Sequence, residues 1–156
     1  LWRDEVTPYL QEAIASMHWE GRMEEVMPGV FFDGAHNEDG IDAFLTSVKH
    51  DGCKGVRSLL FSVVQDKESR KMADMITGSG LFGRIYTAPI ASNRSVSKEA
   101  LEELFGTGSK VSYFDTPEQA LSGMLCDRGT EDYLYVAGSL YLIGQLKEWL
   151  KELAND

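Results

Sequence analysis

The side chains best equipped for chemistry in this 156-residue sequence fall in three short polar clusters, each placed between an apolar run and a stretch that can be helical. The richest is Asp33-Gly34-Ala35-His36-Asn37. Gly34 and Ala35 let a ligand approach the backbone and Asn37 can cap the helix that follows, while Asp33 can accept ribose hydroxyls and His36 can hydrogen-bond a carboxylate or a phosphate. A plainer reading is also open: Asp33 and Asn37 shape the turn and His36 faces solvent. The second cluster, Gln65-Asp66-Lys67-Glu68-Ser69, offers Asp66 as a helix cap and Lys67 as a cation for an anionic ligand, or else a surface lysine beside a cap. The third is Gly138-Ser139, where Ser139 can N-cap the last helix so that the free N–H groups of its first turn suit a carboxylate. A helix terminus contributes only about 0.3–1 kcal/mol when exposed and about 2 kcal/mol when partly buried, so it binds weakly by itself.

Other patterns point away from chemistry. Asp33, His36 and Asp39 have a metal-like spacing, but Asp39 falls inside the expected helix and no second histidine is near, which argues against a metal held by this chain. His18 and His50 lie near helix ends, as surface residues or dipole partners commonly do. Gly78-Ser79-Gly80-Leu81-Phe82-Gly83 satisfies GxGxxG but follows a helix and precedes a strand, the reverse of a dinucleotide fingerprint, so it reads as a helix-terminating loop. Gly106-Thr107-Gly108-Ser109-Lys110 also runs into a strand, and neither a GxxxxGK[ST] loop nor a GxSxG elbow occurs. Asn93-Arg94-Ser95 fits a glycosylation triplet that carries no meaning without secretion.

The elements that must position these clusters alternate between β-rich and helical runs. Strands are expected over 29–33, 57–64, 83–87, 111–114 and 133–137, and helices over 37–50, 68–77, 97–104, 117–126 and 140–153. Thr116-Pro117-Glu118-Gln119 supplies an N-cap, a proline at the first helical position and a capping-box glutamine. In the last helix Leu140, Ile143, Leu146, Leu150 and Leu153 form the expected apolar stripe, with Lys147, Glu148, Lys151 and Glu152 outside it. Strands as apolar as Ser58 to Val64 need helices on both faces, hence a doubly wound parallel sheet. The run Arg22 to Val26, joined through Met27-Pro28-Gly29, adds one antiparallel edge strand. The fold class is therefore α/β: a Rossmann-like, mostly parallel sheet of about six strands. Thr7 and Pro8 open a helix to about His18 with no strand to pair it with, as the tail of a preceding domain would.

Composition fits an ordinary folded domain, with 43% hydrophobic and 26% charged residues. Two cysteines, Cys53 and Cys126, give neither a disulfide framework nor a zinc pattern, and with no signal peptide or membrane-length apolar run a cytoplasmic location is expected. Fifteen basic against twenty-five acidic residues give a net charge of −10, which opposes nucleic-acid binding. Only residues 51–110 are slightly basic, with 9 basic and 7 acidic side chains, so an anionic ligand would be met there if the charge is more than solvated surface.

Four stretches, in order and spacing over roughly residues 19–144, are similar to the C-terminal domain of folylpolyglutamate synthase and dihydrofolate synthase in the Mur ligase superfamily. They are Trp19-Glu20-Gly21-Arg22-Met23-Glu24, Pro28-Gly29-Val30-Phe31-Phe32-Asp33-Gly34-Ala35-His36-Asn37, Asp66-Lys67 followed by Glu68, and Gly138-Ser139-Leu140-Tyr141-Leu142-Ile143-Gly144. Phe32 stands where that family more often has an aliphatic residue, a difference of core packing.

The resemblance implies an ATP-dependent ligase of folate biosynthesis and one-carbon metabolism. MgATP phosphorylates a carboxylate of the folate or dihydropteroate substrate, and the amine of L-glutamate attacks the acyl phosphate. By position it implies that Arg22, Asp33 and His36 contact ATP and that His36 and Ser139 meet the incoming glutamate. Lys67 matches more weakly a lysine that meets the amino acid in the muramyl ligases. It further implies that residues 1–20 are a helical tail or linker from a missing N-terminal P-loop domain and that 21–156 are the glutamate ligase domain. ATP and Mg2+ then belong to the full-length enzyme, none is held by this domain alone, and the isolated domain is inactive. The partners expected are the P-loop domain, L-glutamate, folate and ATP, with no nucleic acid and no membrane. The competing readings are a freestanding amino-acid or nucleotide binding module and the C-terminal domain of another Mur-type ligase.

Overall fold

The computed structural model describes residues 22–155. The expected helix from Thr7 to about His18, the linker assigned to 1–20 and the Trp19-Glu20-Gly21 part of the first motif lie outside the described residues. From Arg22 the chain enters a hairpin, β1 (Glu24–Met27) antiparallel to β2 (Val30–Phe32), with a register irregularity between Glu25 and Met27. Five βα units follow from β2: α1 (Glu38–Lys49), β3 (Arg57–Phe61), α2 (Ser69–Ser79), β4 (Arg84–Thr87), α3 (Lys98–Phe105), β5 (Val111–Tyr113), α4 (Pro117–Asp127), β6 (Tyr133–Ala137) and α5 (Leu140–Ala154).

The six strands lie in the order β1-β2-β6-β3-β4-β5, and every neighbouring pair except β1/β2 is parallel. Strand side chains alternate between two buried cores. Leu60, Leu134 and Val136 join α4 and α5 on one face, while Leu59, Phe61, Tyr135 and Ala137 join α1, α2 and α3 on the other. The sheet is doubly wound with one antiparallel edge strand, as its apolar strands require. No helix among the described residues is long and apolar enough to cross a membrane.

Local chemistry explains the helix starts. Thr116 Oγ1 accepts from Gln119 N at 3.2 Å with Pro117 at the first helical position, and Ser97 Oγ accepts from Ala100 N at 3.1 Å. At the other end of α2, Gly80 takes the left-handed conformation at φ 67°, closing the helix as the loop reading of 78–83 requires.

Four expectations need correction. The strand expected over 57–64 ends at Phe61: Ser62 Oγ donates to Ala88 O, and Val64 turns away to bridge Ser95 in antiparallel fashion. Asp66 does not cap α2; Glu68 occupies the cap position without a side-chain bond, and Asp66 Oδ1 accepts from Glu68 N at 2.8 Å in the turn before it. The buried stripe of α5 runs through Leu142, Ile143, Leu146, Leu150 and Ala154 rather than beginning at Leu140, which is exposed beside the helix start. Lys147 is not a solvated charge either: its Nζ meets Glu24 Oε1 at 2.6 Å, with both side chains nearly out of solvent, tying α5 to the edge strand.

Candidate functional site

Strands β2 and β6 are neighbours, yet β2 leads into α1 on one face of the sheet and β6 into α5 on the other. Their outgoing loops must part over the carboxyl edge, and a crevice at such a switch point is where doubly wound sheets hold ligands. The two loops are stitched together at their base, because Gly138 N donates to Ala35 O at 2.8 Å. Glycine is required at 138: its φ is 119°, and a Cβ there would lie 2.3 Å from the Ser62 carbonyl oxygen.

Two cavities open on this rim. The first, about 380 Å³, is walled by Arg22, Asp33, Gly34, His36 and Asp39 together with the start of α1, a size within the usual ligand range of roughly 300–1,000 Å³. Asp33 is buried; its Oδ1 accepts from Ala35 N at 2.8 Å and its Oδ2 from Met23 N at 3.1 Å. Burial pushes its carboxyl above the usual carboxylate range, against the two backbone donors and the charge of Arg22, which pull the other way. An ionised carboxylate has about four lone-pair directions, so acceptor capacity is left for a hydroxyl. Asp33 shapes the turn through these two backbone donors. Asn37 caps α1, its Oδ1 accepting from Gly40 N at 2.8 Å.

The second cavity is about 130 Å³ and is walled by His36, Asp66, Arg94, Gly138, Ser139 and Tyr141, among others. His36 thus belongs to both cavities. Its ring is exposed, and Nδ1 lies 2.9 Å from Gly34 O. A carbonyl can only accept, so this contact assigns the proton to Nδ1 and leaves Nε2 as the nitrogen that can meet a ligand. Ser139 is buried, and its Oγ accepts from Tyr141 N at 3.1 Å, which caps α5 and keeps the hydroxyl proton available for donation.

The structure brings Arg22, Asp33 and His36 to one wall and His36 and Ser139 to the next, but it leaves Lys67 exposed and off the walls of both. The basic side chain on the second wall is instead Arg94, from the loop after β4. Its only sequence signal was its place in the basic middle segment, beyond the carboxyl end of a strand. Among the described residues no group of three or more His, Cys, Asp or Glu side chains is arranged to hold a metal ion, and the oxygens of Asp33 are turned to backbone donors.

A family model described as "Mur ligase, glutamate ligase domain" matches residues 21–140, which include both loops and most of the two cavity walls. Folylpolyglutamate synthase of Lacticaseibacillus casei is 28% identical over 143 residues, covering 90% of this chain and 32% of its own length. Dihydrofolate synthase/folylpolyglutamate synthase of Bacillus subtilis is 26% identical over 144 residues, covering 91% and 33%. Among solved structures, E. coli FolC in complex with ADP matches with a TM-score of 0.79 at 24% identity, covering 90% of this chain and 34% of that one, a likeness of fold. The chain spans about a third of the length of these relatives.

Proposed function

Because the chain belongs to the Mur ligase glutamate ligase domain family, we propose that it is the C-terminal domain of an ATP-dependent amide ligase that adds L-glutamate to a (tetrahydro)folate polyglutamate or to dihydropteroate. The acceptor carboxylate takes the γ-phosphoryl group of ATP to give an acyl phosphate and ADP. The glutamate nitrogen then attacks the acyl carbon, inorganic phosphate leaves, and the nitrogen loses its proton. Asp33 accepts hydrogen bonds from the nucleotide's ribose or base, and Arg22 offers it a cation. Nε2 of His36 and the Ser139 hydroxyl hold the glutamate, with Lys67 a more distant cation at the rim. An N-terminal P-loop domain completes the cleft, and magnesium, when bound with ATP there, neutralises phosphate charge. Phosphoryl transfer depends on that cradle and metal, so this domain alone is inactive.

The observation that carries this reading is that His36, on the wall it shares with Asp33 and Arg22, also faces the cleft lined by Ser139. A ligase must bring nucleotide and amino acid to adjacent sites. The test is glutamate incorporation coupled to ATP hydrolysis in the intact ligase. His36→Ala and Ser139→Ala are each expected to raise the apparent KM for glutamate by about tenfold or more, as loss of a ligand hydrogen bond does. Normal glutamate affinity in both variants would refute the assignment. Turnover with a muramyl nucleotide and not with folates would move the enzyme to the peptidoglycan branch of the superfamily.

A further inference from the structure

Resting on the ligase reading above, we propose that Met23 is a positioning residue for the nucleotide: its left-handed backbone aims Arg22 into the first cavity, and the Glu24–Lys147 pair holds it there. Met23 has φ 34° and is the single non-glycine residue of positive φ among the described residues. An L side chain adopts that region only at a cost, and such a residue persists where its surroundings over-determine it. Here they do. Met23 N donates to Asp33 Oδ2 at 3.1 Å, and the Met23 side chain packs against the core shared by α1, α2 and α3. Glu24, one residue on, turns to the opposite face of the sheet, where its Oε1 meets Lys147 Nζ of α5 at 2.6 Å.

Met23 lies before β1 begins, so its strained backbone serves no pairing in the hairpin. Arg22 and Met23 both line the first cavity with Asp33. The Glu24–Lys147 pair is likewise a poor source of stability. Burial of two charges offsets their attraction, and Glu24 Oε2 is buried without a hydrogen-bond partner. What the pair supplies is a fixed point one residue past Met23, on the other side of the sheet from the apolar anchor. With residue 23 held by its amide and residue 24 by its carboxylate, the chain that carries Arg22 leaves the strand along the wall that Asp33 forms.

The test uses the intact ligase and compares Met23→Asn with Met23→Val, two side chains of similar size and opposite character. Asparagine tolerates the left-handed region but suits an apolar contact poorly, whereas valine suits the contact and its branched carbon opposes that region. The apparent KM for ATP is expected to rise about tenfold or more in Met23→Val and to stay within about threefold in Met23→Asn. The KM for glutamate should change less than about twofold in both, since a charged contact to the nucleotide is what is lost. Met23→Ala, a milder change, should lie between them, and Lys147→Met should raise the KM for ATP in the same sense. In an Arg22→Ala background, which itself raises the KM for ATP, Met23→Val and Lys147→Met should each add less than about twofold, because a residue that acts through Arg22 has nothing left to aim. The reverse ranking, with valine nearer the wild type than asparagine, would overturn the inference, since Met23 would then only fill the core. So would full additivity with Arg22→Ala, and either result leaves the ligase reading standing. Normal ATP affinity in Arg22→Ala would overturn both the inference and the nucleotide assignment on which it rests.

Discussion

A buried hydroxyl and an exposed imidazole share one cleft, and they answer differently to removal. Ser139 caps α5, so Ser139→Ala should cost about 1 kcal/mol of stability in urea denaturation, whereas His36→Ala should change it by less than about 0.5 kcal/mol. Equal losses would mean that His36 has a structural duty its contacts do not reveal. Between the two loops, Gly138→Ala combines a left-handed backbone with a side-chain carbon that has no room against the Ser62 carbonyl. A destabilisation of about 2–4 kcal/mol is expected from the same measurement. That Asp33, His36 and Ser139 stand on the crevice walls was legible in the sequence because each belongs to a local grammar of strand, turn and cap. Arg94 was not, because its position depends on the pairing of Val64 with Ser95, a contact between two loops that carries no motif.

The helices and strands were legible from alternation and capping, but contacts between elements were not. Nothing in the heptad-like pattern of α5 indicates that Lys147 meets Glu24 on the edge strand, or that Leu140 belongs to the cleft rather than to the core. A similar tie joins β4 to the end of α4: the buried Tyr86 hydroxyl donates to Asp127 Oδ2 at 2.7 Å, and Arg84 Nη1 donates to Asp127 O at 3.0 Å. Burial first, then the hydrogen bond and charge of Asp127, push the Tyr86 hydroxyl up to about 12. Below pH 10 the tyrosine is neutral in both folded and unfolded chains and its contribution is fully present. From pH 10 to about 12 the unfolded chain ionises first, and roughly 2 kcal/mol is lost. Denaturation curves across that range should fall more steeply for the wild type than for Tyr86→Phe, and parallel curves would show that the tyrosine is not sheltered.

At the scale of the whole molecule, the doubly wound class was legible from the apolar strands, while the strand order was not. Insertion of the last strand, β6, between β2 and β3 is a long-range pairing, and it is what carries residue 139 to residue 36. The hydrogen bond from Gly138 to Ala35 then makes the two chambers share a partition, with His36 as part of it. Two chambers that share a partition obey thermodynamic reciprocity: whatever factor filling one applies to affinity in the other, filling the second must return to the first. Deuterium exchange at the Gly138 amide should slow when either chamber is filled, making one backbone proton a reporter for both occupants.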